Sequence, residues 1–113
     1  MSARNGMTMR AEIERDNQAT EDSLGHDLPP DWQNHITVDC IAWSAREEET
    51  VEEKYAEISL VRIEFPITAD ITGQDRVKVI KDRRGTTKFP GPLTIESLVP
   101  RRTHLEATCR AVA

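Results

Sequence analysis

Glycine, cysteine, histidine and aromatic residues are all scarce in this chain, and each scarcity removes a class of function. The five glycines stand singly, so no glycine-rich loop is present to cradle a phosphate. The two cysteines, Cys40 and Cys109, lie far apart with no CxxC spacing. With an amino-terminal MSARNGMTMR that lacks the apolar run of a secretion signal, a cytoplasmic site of synthesis is expected. In that reducing setting the thiols are expected to be small buried hydrophobes rather than a disulfide. His26, His35 and His104 fall in three separate segments, so neither a metal site nor a cofactor is expected. No Ser or Cys sits beside a base in a recognisable active-site sequence, and the expectation is a protein that is not an enzyme. No uncharged stretch approaches the length that crosses a bilayer, so no membrane partner is expected. The net charge of −5 argues against broad binding to phosphate backbones, and an acidic surface suits a protein that sits close to DNA without sticking to it.

What is present is two-residue alternation. At 113 residues the chain has room for one domain, 1–113, burying roughly two thirds of its unfolded surface. Met9, Ala11 and Ile13 alternate with Arg10, Glu12 and Glu14, the pattern of a strand with one buried face, after a flexible stretch 1–8. Residues 15–33 lose periodicity and read as a long polar loop. A second strand over His35–Trp43 puts Ile36, Val38, Cys40 and Ala42 on one face. The acidic segment 44–53 follows, read as a loop or short helix. A third strand over Tyr55–Phe65 changes its apolar parity at Leu60, which suggests a bulge or barrel corner there. A turn containing Gly73 leads to a short strand at Val77 and Val79, and Arg83-Arg84-Gly85 reads as a tight turn. Pro90-Gly91-Pro92 punctuates the chain ahead of a fifth strand through Leu93, Ile95 and Leu98. The alternation over Thr103–Val112 is the most regular in the chain. No internal repeat is visible. The expected fold is all-β, a small barrel or sandwich of about six mostly antiparallel strands with long polar loops.

Taken in order, several pieces resemble the head-closure, or head-to-tail stopper, proteins of tailed bacteriophages. They are the IERD ending the first strand (Ile13–Asp16), a polar loop with Asp22-Ser23-Leu24-Gly25, and Trp32 leading into HITVDCIAW. TADITGQDRVKV is similar to the family's turn through Asp70, Thr72, Asp75, Arg76 and Val77, and PLTIESLVPRRTHLEATCR to its closing hairpin. The resemblance spans residues 9–112. It implies a structural virion neck protein, made in the bacterial cytoplasm, that forms a ring of roughly six or twelve copies under the portal and adaptor. Such a ring retains packaged double-stranded DNA, which passes through its channel without sequence-specific binding, and receives the tail terminator or tail tube. Asp22, Leu24, Gly25, Pro29, Pro30 and Trp32 are then candidates for an inter-subunit loop. Glu47, Glu48, Glu49, Glu52 and Glu53 are candidates for a channel-facing loop whose repeated negative charge repels DNA, against the plainer reading of a solvated loop.

Two other readings stay open. A tail terminator or another neck ring protein uses the same kind of small β fold. A nucleic-acid-binding barrel would use Lys81–Arg84 and Arg101-Arg102 with the five aromatics, although both basic clusters fall at turns and read more readily as solvated hairpin tips than as a groove.

Overall fold

The computed structural model describes residues 6–17, 29–47 and 58–111. Six antiparallel strands make up the fold: β1 (Met9–Asp16), β2 (Trp32–Glu47), β3 (Ile58–Pro66), β4 (Arg76–Asp82), β5 (Thr87–Pro100) and β6 (His104–Ala111). They close into a barrel in the order β1-β2-β3-β6-β5-β4. The expected all-β fold is the observed one.

Pairing divides the barrel into two equally wired halves. β2 uses Trp32–Cys40 to pair with β1 and Ile41–Glu47 to pair with β3. β5 pairs with β4 through Thr87–Thr94 and with β6 through Leu93–Pro100. Thus β1-β2-β3 and β4-β5-β6 are two meanders of the same form, joined by the β1·β4 and β3·β6 ladders. Equivalently, two four-stranded sheets share β2 and β5 at opposite corners, where a long strand passes from one sheet to the other. The sequence shows no repeat because wiring constrains only which faces are apolar, not which apolar residue fills them.

Alternation supplies the interior. Ala11 and Ile13 from β1, Cys40 and Ala42 from β2, Val61, Ile63 and Phe65 from β3, Val77 and Ile80 from β4, Leu93 and Ile95 from β5, and Ala107 and Cys109 from β6 form one cluster. Phe65 and Ile63 are fully buried, each contributing about 2 kcal/mol of transfer free energy. Both cysteines are free and buried, and burial pushes each thiol up to about 12.

Several sequence expectations are corrected. Met7 is 1% exposed, so the flexible stretch does not extend over all of 1–8, because this apolar side chain is taken up by the fold; residues 1–5 lie outside the described residues. The proposed loop 15–33 is shorter, since Arg15 and Asp16 complete β1 and Trp32 and Gln33 already pair with them. The parity change at Leu60 involves no bulge: Leu60 faces Ala45 and Val61 faces Ser44 in unbroken register. Leu60 is instead buried on its own, outside the central cluster.

The Pro90-Gly91-Pro92 segment lies inside β5 rather than ahead of it. Its register against β4 slips between Val77 and Val79, and the Gly91–Pro92 peptide is cis. Glycine is required here by close approach: a Cβ on Gly91 would lie 2.0 Å from the Lys78 carbonyl oxygen. A second slip against β4 falls between Ile80 and Lys81, and a third, against β6 between Ile95 and Ser97, returns Leu98 to the core side. The Arg83-Arg84-Gly85 turn is as expected. Gly85 has φ +86, and the Asp82 carboxylate accepts from the Arg84 and Thr86 amides at 2.8 and 2.9 Å.

Candidate functional site: the polar closure of one barrel end

β3 and β4 lie on opposite sides of the barrel, so residues 67–75 must cross its end to connect them. Their hydrophobic content decides how they cross. Ile71 is 7% exposed and belongs to the core cluster, with Ala69 packed against it, so the segment plugs the end with one isoleucine. Local turns shape it: the Ala69 amide donates to the Pro66 carbonyl at 2.9 Å, and the Asp75 amide to the Thr72 carbonyl at 3.1 Å.

Asp75 is the buried anchor, 3% exposed. Its carboxylate accepts a fork from Arg15, Nε to Oδ1 at 2.8 Å and a terminal nitrogen to Oδ2 at 2.9 Å, and a third bond from the Thr72 amide at 2.9 Å. Burial pushes the Asp75 carboxyl up. The hydrogen bonds from Arg15 and Thr72 and the Arg15 charge outweigh that burial and hold it below the usual carboxylate range. The same hydrogen bond raises Arg15 further above its already high value. Arg15 also reaches Asp70 at 3.5 Å. His35 on β2 places Nε2 3.0 Å from the Asp70 carbonyl oxygen and 3.2 Å from its carboxylate.

A second layer lies alongside. Arg76 Nε donates to Glu14 at 2.9 Å, and the Arg76 guanidinium stacks 4.3 Å from the centre of the Trp32 ring. Glu14 is 8% exposed and is held by this bond. β1 presents Glu14 and Arg15 to opposite partners on successive positions, as strand alternation dictates.

The residues singled out from sequence therefore separate into groups. Asp70, Thr72, Asp75, Arg76 and Val77 come together, Val77 inward as core and the others around the closing segment. Trp32 is a correction: it opens β2 and is half-buried under Arg76, because an aromatic with a cation over its face gains more in the strand than in a polar loop. Pro29 and Pro30 are exposed just ahead of it. Asp22, Leu24 and Gly25 lie outside the described residues. The acidic loop 44–53 is also corrected at its start. Ser44–Glu47 continue β2 because their backbone pairs with Ile58–Val61, and strand edges tolerate charge. Glu47 is the last residue of β2, and Glu48, Glu49, Glu52 and Glu53 lie outside the described residues.

Arg15 and His35 were missed as site residues. The available signal was the Thr72–Asp75 spacing, which marks a carboxylate folded back on its own turn and in need of a cation, but spacing does not say which arginine supplies it. Among the described residues no three His, Cys, Asp or Glu side chains are grouped so as to hold a metal ion. What the arrangement does is structural: charged hydrogen bonds tie one chain crossing over the barrel end.

Charge is distributed unevenly. The described residues carry thirteen Lys or Arg against twelve Asp or Glu, so the chain's acidity resides in the remaining stretches, with eight acids against two bases. Arg83, Arg84 and Arg102 are exposed at the two tight turns and make no ion pair among the described residues. The chain matches no family model, no curated protein and no solved structure.

Proposed function

We propose that this chain is a structural neck protein of a tailed bacteriophage, of the head-closure or stopper kind, that assembles with copies of itself beneath a portal and adaptor and receives the tail. The observation that supports this reading most is the meeting of two sequence pieces that resemble the family. The IERD at the end of β1 supplies Glu14 and Arg15, the DITGQDRV segment supplies Asp70, Asp75 and Arg76, and they meet in two adjacent ion-paired groups at the barrel end, Arg15 with Asp75 and Asp70 and Arg76 with Glu14. A part that bears the pressure of packaged DNA benefits from a covalently continuous segment strapped across its core.

Within this reading Glu47, Glu48, Glu49, Glu52 and Glu53 line the DNA channel, where repeated negative charge keeps DNA mobile. Tail termination by a related ring is the alternative assignment within the same neck. The test is genetic and structural: remove the gene from the phage that carries it and image the particles. DNA-emptied heads without tails are expected. Normal tailed, infectious particles would contradict the proposal. Replacing Glu47, Glu48 and Glu49 by glutamine tests the channel role separately, with slowed DNA ejection expected and unchanged ejection against it.

One observation favours a second reading, a nucleic-acid-binding barrel: the exposed Arg83, Arg84 and Arg102, without an ion pair among the described residues, on a barrel of nearly balanced charge. Titrating the protein with single-stranded oligonucleotides at two salt concentrations decides it. Salt-sensitive binding lost on Arg83→Ala/Arg84→Ala supports that reading, and absence of binding removes it.

A further inference from the structure

Closing the barrel by sheet-switching leaves each half of β2 and β5 hydrogen-bonded on one side only among the described residues, apart from Leu93 and Thr94, which pair on both. These half-strands are edges, and an unprotected edge is a template for another strand. The edges differ. Those of β5 are interrupted: Pro90 and Pro92, which have no amide to donate, lie in the half that pairs with β4, and the half that pairs with β6 is broken by the register slip between Ile95 and Ser97 and ends at Pro100. β2 has no proline over its 16 residues. Its first half lies beside the crossing segment through His35 and Asp70.

The remaining edge, Ile41–Glu47, runs past the last β1 partner at Cys40, and the described residues ahead of β1 form no strand beside it. Within it stands Trp43, 40% exposed, on the face opposite the buried Cys40 and Ala42.

We propose that this edge pairs with the same edge of a second copy, antiparallel about a two-fold axis, to make one continuous eight-stranded sheet across two barrels. The occupant follows from the asymmetry of the edges. With the β5 edges blunted, the sheet edge left to complement Ile41–Glu47 is Ile41–Glu47 itself. An edge that pairs with itself gives a closed isologous dimer rather than an open chain. A two-fold at Ser44 sets Trp43 opposite Ala45 of the copy and makes the two Trp43 side chains diagonal neighbours on the outer face, within reach of one another. Their exposed apolar surface is then covered by its own duplicate. The dimer does not rest on the neck assignment, and it stands or falls by its own test.

The experiment is sedimentation of the full chain over a wide concentration range, with hydrogen exchange at both extremes. Wild type is expected to pass from monomer to dimer, with amides of Ile41–Glu47 gaining protection in the dimer. Trp43→Glu is expected to weaken the dimer by about tenfold or more, because two like charges replace two apolar contacts at one axis. Val99→Glu, at an equally exposed apolar position on the proline-ended edge, is expected to leave it unchanged. Unfolding curves of both variants exclude loss of fold. A chain that stays monomeric, one that assembles only into larger rings, or a dimer indifferent to Trp43→Glu but broken by Val99→Glu overturns the proposal.

Discussion

The two meanders share one wiring and differ in everything that lies between the strands. In the second, β4 turns to β5 over Arg83–Thr86 and β5 to β6 over Arg101–Thr103, where the Arg101 amide donates to the His104 carbonyl at 2.7 Å. In the first, the corresponding connections run over residues 17–31 and 48–57 and carry nine acids against one base. The second meander is therefore a tight, arginine-tipped, proline-edged unit, and the first carries long acidic connections and the open β2 edge. The barrel core is drawn evenly from both. Packing is satisfied by alternation alone, which leaves the loops and edges of the two halves free to differ.

The largest effects are expected where the second meander has no room for an added atom. Gly91→Ala forces a methyl into the Lys78 backbone and is expected to cost about 4 kcal/mol or abolish folding, whereas Gly73→Ala, with open space around it, stays within about 0.5 kcal/mol. Urea unfolding of the pair reads the difference. Next is the joint between the halves. Asp75→Ala removes the buried anchor of the crossing segment and is expected to lower stability by about 3 kcal/mol.

The same anchor sets the response to acid. Because the folded carboxyl of Asp75 lies below its unfolded value, its contribution is present above the ordinary aspartate range and is lost as pH falls through the folded value. Wild type is thus expected to lose more stability on acidification than Asp75→Asn, and equal acid responses would remove Asp75 from that role. Smaller again, Gly85→Ala strains a positive φ and is expected to cost about 1 kcal/mol, confined to the β4–β5 turn. Finally, each half contributes one buried thiol, and neither Cys40 nor Cys109 is expected to react with a disulfide reagent at pH 8 until denaturant is added.

Most of the fold was legible because the signal that builds it is local. In β6, Leu105, Ala107 and Cys109 keep one parity without interruption, and the strand could be placed from its sequence. β5 was half-legible: three register slips break its parity, and a Pro-Gly-Pro run that normally ends a strand is accommodated because its edge faces no second strand among the described residues. The closing site was legible only as a resemblance. Arg15 and Asp75 stand 60 residues apart, and an ion pair leaves no period in either segment, so their meeting depends on β3 and β4 falling on opposite sides of the barrel. Trp32 was misplaced for a related reason, since the cation that holds it in the strand comes from β4.

The Arg15–Asp75 lock across the barrel end couples the two ladders that join the meanders, so that they open as one cooperative unit. Hydrogen exchange on Asp75→Asn, compared residue by residue with wild type, tests it most directly. Protection is expected to fall in parallel in β1, β3, β4 and β6, the strands that join the halves. Loss confined to residues 67–75, with all four strands as protected as before, would contradict it.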